Sequence, residues 1–88
     1  MQLSDYIGNS ILILIPKIHE KKYQKVILHG VEAGGIWIES QTIMNEFLES
    51  VGASSATKTL AIFVPYSSVA AVVTAIDKLA LNEKSLGL

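Results

Sequence analysis

The fold is decided by the stretch Val26-Ile27-Leu28-His29-Gly30-Val31-Glu32-Ala33-Gly34-Gly35-Ile36-Trp37-Ile38-Glu39. Its two apolar runs, residues 26–31 and 36–39, have the β-branched composition of strands. Between them, Gly34 and Gly35 can adopt the positive φ angles that a tight hairpin requires at no steric cost. The stretch therefore predicts two antiparallel strands joined by a short turn, and it is the strongest local signal in the chain.

Trp37 is the single tryptophan of the chain and lies in the second of these strands. Side chains alternate between the two faces of a strand, so Ile36 and Ile38 share one face while Trp37 and Glu39 share the other. Trp37 therefore lies off the core face or on a second packing surface. Burial beneath a helix predicted at 41–51 is the commoner environment for such a residue, and an exposed binding hot spot is the alternative.

Two further strands flank this hairpin in the sequence. Residues 10–15 are apolar at nearly every position, as in a strand buried on both faces, and Pro16 ends the run. Residues 59–64 form another such run, which stops at Pro65. The charged residues 17–25, between the first strand and the hairpin, predict a solvated loop.

Helical spacing appears before the first strand and after the hairpin. Residues 3–7 predict one amphipathic helical turn closed by Gly8. Residues 40–51 repeat apolar side chains every three or four positions, which predicts a short amphipathic helix. The small polar residues 52–59 then predict a flexible linker.

The tail of the chain has two interpretations. Residues 69–80 fit a helix capped by Ser67 or Ser68, and periodicity alone favours it. Residues 69–73 fit a closing strand equally well. The pattern of the tail leaves both open.

The composition describes one small domain, residues 1–88. Half of the residues are apolar, so some must face outward, which favours burial against another subunit over a monomer. Seven lysines, no arginine and eight acidic residues give a net charge of −1, and hence no overall attraction to phosphate. The N-terminal segment is not basic and the apolar run at 11–15 is too short for a membrane span, so we expect a cytoplasmic protein that contacts no membrane.

The residue types that carry catalysis or metal binding form no pattern here. The chain has no cysteine, and His19 and His29 have no third ligand at metal-site spacing. A solvated His19 and a packed or interfacial His29 are the expected environments. No serine has a histidine and an acidic residue close in sequence, and the Gly34-Gly35 pair lacks the other residues of a phosphate loop. We therefore predict that the protein is not an enzyme and has no catalytic residues, metal or cofactor.

Three segments carry a family resemblance and together cover most of residues 3–73. They are Leu3-x-x-Tyr6-Ile7-Gly8, Leu28-x-Gly30-Val31-Glu32-x-x-Gly35-Ile36-Trp37-Ile38-Glu39 and Ile62-Phe63-Val64-Pro65-Tyr66-Ser67-Ser68-Val69. In spacing and hydrophobic pattern the chain resembles the Sm-like small barrels, the Lsm and Hfq group. The resemblance implies a mostly β fold, a five-stranded SH3-like barrel with an N-terminal helical turn and a helical insertion near 41–51. It also implies a fifth strand at 69–73, with room for a short helix within 74–82.

Assembly is a further implication of the resemblance. Members of this family form homo-oligomeric rings of about five to eight subunits, in which the fourth strand of one subunit joins the fifth strand of the next. The sequence agrees, because the run Leu60-Ala61-Ile62-Phe63-Val64 is apolar and uncharged and would be hazardous as an unpaired edge. The candidate interface residues are Leu60, Ile62, Phe63, Val64, Val69 and Val72.

RNA is the ligand that the resemblance implies. The family contacts RNA through an Asp and an Asn in the loop after the second strand and through an Arg-Gly or Lys-His pair after the fourth. Here Glu32 stands at the acidic position, Gly34 or Gly35 at the Asn position, and Pro65-Tyr66-Ser67 replaces the basic pair. Either Tyr66 stacks on a base and Ser67 bonds to a phosphate or a base edge, or this turn only caps the barrel. The candidate ligand residues are Glu32, Gly35, Tyr66 and Ser67. A protein partner, bound through the helical insertion or the tail, is the alternative to RNA.

Overall fold

The structure is a computed structural model that describes residues 2–54 and 60–78. Within these residues the chain is mostly β, with five strands, one α-helix and three short 3-10 turns. The strands are β1 (Ser10–Leu14), β2 (Gln24–Glu32), β3 (Gly35–Glu39), β4 (Ile62–Pro65) and β5 (Ala71–Val73), and the helix is α1 (Gln41–Ser50). The 3-10 turns are Leu3–Tyr6, Tyr66–Ser68 and Ile76–Lys78. None of the helices in the described part of the chain is long and apolar enough to pass through a membrane.

All five strands belong to one antiparallel sheet with the order β4-β3-β2-β1-β5. Consecutive strands β1 to β4 are neighbours, and β5 returns to pair with β1, Leu12 opposite Val73. The strand interpretation of the tail is therefore confirmed over the helix, although β5 begins two residues later than predicted. A 3-10 turn at Ile76–Lys78 follows it, and the rest of the helix proposed within 74–82 lies outside the described residues.

The core lies on one face of the sheet, whose central strand is β2. Alternate side chains of β1 to β4 meet there, and apolar burial is the main stabilising term. The buried members are Ile11, Ile13, Ile15, Val26, Leu28, Ile36, Ile38 and Val64. On the other face of β1, Leu12 is buried with Ile76 and Tyr23. The prediction of a first strand buried on both faces is confirmed.

Gln24 and Ser40 are the buried polar residues in the described part of the chain, and Gln24 is the more deeply buried of the two. It is 1% exposed at the start of β2, and neither amide atom has a hydrogen-bond partner within the protein. An unsatisfied buried amide costs roughly 1–3 kcal/mol.

The hairpin between β2 and β3 is confirmed, but the predicted reason for its glycines is wrong. Glu32 pairs with Gly35, so the turn consists of Ala33 and Gly34. Neither Gly34 nor Gly35 has φ in the left-handed region, whereas Gly8, which closes the first helical turn, has φ +91°. A Cβ atom at Gly35 would lie 2.3 Å from the carbonyl oxygen of Val64. Gly35 is therefore required by the close approach of β4, not by the turn.

Helix α1 begins where the sequence predicts it. The Ser40 side chain accepts a hydrogen bond of 3.2 Å from the backbone N–H of Ile43, which is the N-cap arrangement. The helix docks through Ile43, which packs against the core, while Phe47 and Val51 on its apolar stripe are 48% and 59% exposed. The linker predicted at 52–59 lies mostly outside the described residues.

Candidate functional site

The turn after β2 and the turn after β4 meet at one end of the sheet, which we call the turn end. Tyr66 donates its backbone N–H to the carbonyl oxygen of Gly34 across 3.1 Å, and Gly35 pairs with Pro65. The structure therefore brings all four candidate ligand residues together, Glu32, Gly35, Tyr66 and Ser67. Three of them, Glu32, Tyr66 and Ser67, are exposed, whereas Gly35 is buried and offers a ligand no side chain.

Beside the turn end, the outer face of the sheet carries a small group that we call the aromatic corner, formed by Glu32, Trp37 and Phe63. Trp37 and Phe63 are directly opposite each other on β3 and β4. Their ring centroids are 5.2 Å apart and their planes make an angle of 61°, an edge-to-face contact. The indole Nε1–H donates to Oε2 of Glu32. Two rings and one carboxylate thus form a single side-chain group.

Trp37 is not buried beneath α1, so the commoner of its two expected environments is wrong. The residue is 38% exposed and Phe63 is 39% exposed. The indole lies across Gly30, its partner on β2, where a Cβ atom would be 3.5 Å from Cδ1 of Trp37. Strand alternation sends Trp37 to the outer face, while α1 is anchored through Ile43 on the core face.

A β-bulge in β2 places Glu32 in the aromatic corner. The register shifts between Leu28, which pairs with Ile38, and Gly30, which pairs with Trp37, so His29 is the extra residue. Before the bulge the even-numbered residues of β2 face the core, and after it they face outward. If β2 instead kept regular alternation through His29, with no bulge, Glu32 would point toward the core. The sequence prediction missed the bulge, although the spacing of the core residues Leu28 and Val31, three instead of two, was a signal for it.

The charge near the turn end is acidic. Glu32 is at the end of β2, whereas Lys17, Lys21 and Lys22 precede that strand and Lys25 is its second residue. Eight residue steps of extended chain separate the two ends of β2, which is about 26 Å. The lysine-rich loop and the candidate ligand residues therefore lie at opposite ends of β2.

The candidate interface residues lie on the two outermost strands or just before them, but most of their side chains point inward. Val64 is buried in the core, and Ile62, Val69 and Val72 pack against it. Leu60 is half-buried just before β4, and Phe63 is the one exposed on the outer face. The inward-facing residues can therefore contribute to subunit pairing through their backbone and not through their side chains.

The backbone of β4 has a free edge among the described residues. The hydrogen bond from Tyr66 to Gly34 fixes the alternation of the ladder with β3, so the N–H groups of Ile62 and Val64 point toward β3. The N–H and C=O of Phe63 then point away from the sheet. Pro65 is the next residue of β4 whose backbone points away from the sheet, and it has no N–H to donate.

Each histidine has a carboxylate near its Nε2 atom. Nε2 of His29, at the bulge, lies 2.9 Å from Oε1 of Glu39, and both side chains are substantially exposed, so His29 is neither packed nor buried in this subunit. Nε2 of His19 is 3.9 Å from Oε1 of Glu46 on α1, and this ring nitrogen is buried with no hydrogen-bond partner, so His19 is only partly solvated. Across residues 2–54 and 60–78, no group of three or more His, Asp or Glu side chains is close enough to hold a metal ion.

Shallow hollows occur elsewhere on the surface. One of about 220 Å³ is lined by Ser10, Lys25, Val26, Ile27, Glu39 and Gln41. Another of about 250 Å³ lies between the first helical turn and β5, lined by Gln2, Leu3, Tyr6, Val72 and Thr74. None of the four candidate ligand residues lines either hollow. The candidate site is therefore an exposed surface at the turn end.

Comparison of the chain with models of known protein families, with curated proteins and with solved structures found no match.

Proposed function

We propose that this chain is a homo-oligomeric Sm-like binding module whose subunits close into a ring of about five to eight copies. In this proposal the sheet is the subunit's small SH3-like barrel, and β4 of one subunit pairs with β5 of the next. One observation carries the proposal: β4 and β5 are the two edges of the sheet, so each has one partner strand among the described residues. These are the two strands that the Sm-like resemblance joins.

The chemistry of the edges supports pairing between subunits. Ile62, Phe63 and Val64 carry no charge, and the outward N–H and C=O of Phe63 can pair with another strand. Such an apolar edge favours strand addition. Phe63 on β4 and Val73 on β5 are both exposed, at 39% and 36%, and both face the outer side of the sheet. Pairing of the two edges would bring these apolar side chains onto one shared surface.

RNA is the ligand class that the resemblance contributes to the proposal. Its support is the exposed turn at Tyr66 and Ser67, where a phenol ring can stack on a base and a hydroxyl can bond to a phosphate. We place this module in the cytoplasm, in line with the expectation from the sequence, and assign it binding and not catalysis.

A role in binding protein, without RNA, is the second candidate. The observation that favours it is the acidic side chain at the turn end, since Glu32 repels phosphate. The exposed apolar residues Phe47 and Val51 on α1 are a further surface of the kind that binds protein.

Native mass spectrometry of the protein purified at low salt tests the proposal. The expected mass is that of a closed oligomer, and Phe63→Lys or Val73→Lys should convert it to smaller soluble species by placing a charge at one edge. Ile7→Lys is the matched control, because Ile7 is also an exposed apolar residue but lies next to the central strand β2. A monomeric wild type, or edge variants with the wild-type mass, would contradict ring assembly. RNA that copurifies with the oligomer favours the first ligand class, and its absence favours protein.

A further inference from the structure

The aromatic corner combines two exposed ring surfaces with a carboxylate held beside them. The faces of aromatic rings carry negative electrostatic potential, and they attract cations placed within about 6 Å of the ring centroid. The ring planes of Trp37 and Phe63 make an angle of 61° and their centroids are 5.2 Å apart. The two rings therefore border a small open cleft. Both rings are more than a third exposed, so the cleft between them is accessible from solvent.

Glu32 places a formal negative charge beside this cleft. The indole N–H of Trp37 lies in the ring plane, so the carboxylate that accepts its hydrogen bond lies at the edge of the ring and does not itself cover the ring face. A carboxylate has about four acceptor positions, of which the indole N–H takes one. The remaining positions can accept hydrogen bonds from a cation placed against the rings.

We propose that the aromatic corner binds the arginine side chain of a basic peptide from a partner protein. A guanidinium group is planar, stacks on aromatic faces and donates paired hydrogen bonds to a carboxylate, which fits both components of the corner. The chain itself contains no arginine, so a second copy of this protein cannot supply that group. A phosphate backbone is disfavoured because Glu32 would repel it.

This inference rests in part on the proposed function, because it names the partner of the same binding module. It needs the residues of only one subunit, however, since Glu32, Trp37 and Phe63 lie on adjacent strands of one sheet. The corner is also independent of β5. Val73→Lys therefore places a charge on the β5 edge that assembly would use, and it leaves all three side chains of the corner unchanged.

Tryptophan fluorescence tests the inference directly, because Trp37 is the single tryptophan in the chain. The full-length protein is titrated with a capped pentapeptide, Gly-Arg-Gly-Arg-Gly, and with the same peptide in which citrulline replaces arginine. Citrulline keeps the shape of arginine and removes its charge. We expect the arginine peptide to change the Trp37 emission saturably and to bind about two- to fivefold more tightly than the citrulline peptide, the factor expected from a cation–π contact at an exposed site.

The charge of Glu32 is tested with Glu32→Gln, which can still accept the indole hydrogen bond. This variant should bind the arginine peptide about two- to fivefold more weakly, the factor expected from an exposed ion pair. Glu49→Gln on α1 removes the same charge from an exposed position away from the corner and should bind like the wild type. Equal affinity for the two peptides, or no loss of affinity in Glu32→Gln, would overturn the inference. So would an oligouridylate that saturates the Trp37 signal when the arginine peptide does not.

Assembly and peptide binding are measured separately on the same samples. A monomeric protein that binds the arginine peptide would refute the ring and support the corner. A protein that forms a ring, but that responds to the peptide neither as the ring nor as the dissociated Val73→Lys variant, would refute the corner and leave the ring supported.

Discussion

Gly34 and Gly35 are adjacent residues at the turn end, but only at Gly35 does the structure require the absence of a side chain. A Cβ atom at Gly34 would meet no atom within 4 Å, and the residue has no left-handed φ. At Gly35 the same atom would lie 2.3 Å from the Val64 carbonyl oxygen and 2.8 Å from Cα of Pro65. Both of these contacts are with backbone, so they cannot be relieved by rotating a side chain.

Gly35→Ala should lower the free energy of unfolding by about 1–3 kcal/mol, because β4 must move away from β3 to accept the methyl group. Gly34→Ala is the matched control and should change it by less than about 0.5 kcal/mol, since the new methyl group is exposed. Urea denaturation of both variants measures the difference. Equal losses in the two variants would show that the turn, and not the approach of β4, imposes the requirement for glycine.

At the scale of elements, the sequence predicted the parts of the fold that depend on local signals. The β2–β3 hairpin, β1 and α1 have strong local periodicity, and each forms within a few residues of its predicted position. The tail was ambiguous because apolar residues at 69–80 satisfy two periodicities. Pairing with β1, a contact between distant parts of the chain, decides in favour of β5.

The aromatic corner was beyond local sequence reasoning, although Glu32 and Phe63 were each proposed for other roles. The corner depends on the bulge at His29, which turns the Glu32 side chain to the outer face of the sheet. It also depends on the strand pairing that sets Phe63 opposite Trp37. The environment of Trp37 was missed for a related reason. Helical periodicity predicts that α1 has an apolar face, but it does not tell which side of the sheet this face contacts.

The start of α1 depends on a single side chain. Ser40 is buried, and its hydroxyl accepts the Ile43 N–H that the helix itself leaves unpaired. Ser40→Ala should therefore lower the unfolding free energy by about 1 kcal/mol. Ser50→Ala is the control, because its exposed hydroxyl bonds to the Phe47 carbonyl within the last turn and caps no free N–H. Hydrogen exchange of the α1 amides should be faster in the Ser40 variant, and an unchanged rate would show that docking of Ile43 alone fixes the helix.

At the scale of the whole molecule, the sheet has edges that a closed ring would remove. Pairing β4 of each subunit with β5 of the next is a head-to-tail interface. In a finite oligomer every β4 and β5 edge is paired only when the rotation between successive subunits closes the ring. The two apolar side chains on these strands, Phe63 and Val73, are exposed in the single subunit and would gain contacts on assembly. Part of the folding free energy would then come from the neighbours.

A thermal denaturation series measures that contribution. If unfolding requires the ring to dissociate, mass action makes the Tm depend on protein concentration. Tenfold dilution should lower the free energy of unfolding of the oligomer by about 1.1 kcal/mol per subunit. For a domain of this size, that loss lowers the Tm by roughly 4–8 °C. Val73→Lys should show a lower Tm that does not change with dilution, and Ile7→Lys should retain the dilution effect of the wild type. A wild-type Tm that is independent of concentration would mean that each subunit is stable with both edges unpaired, because the buried residues of β1 and β3 then suffice to hold the sheet.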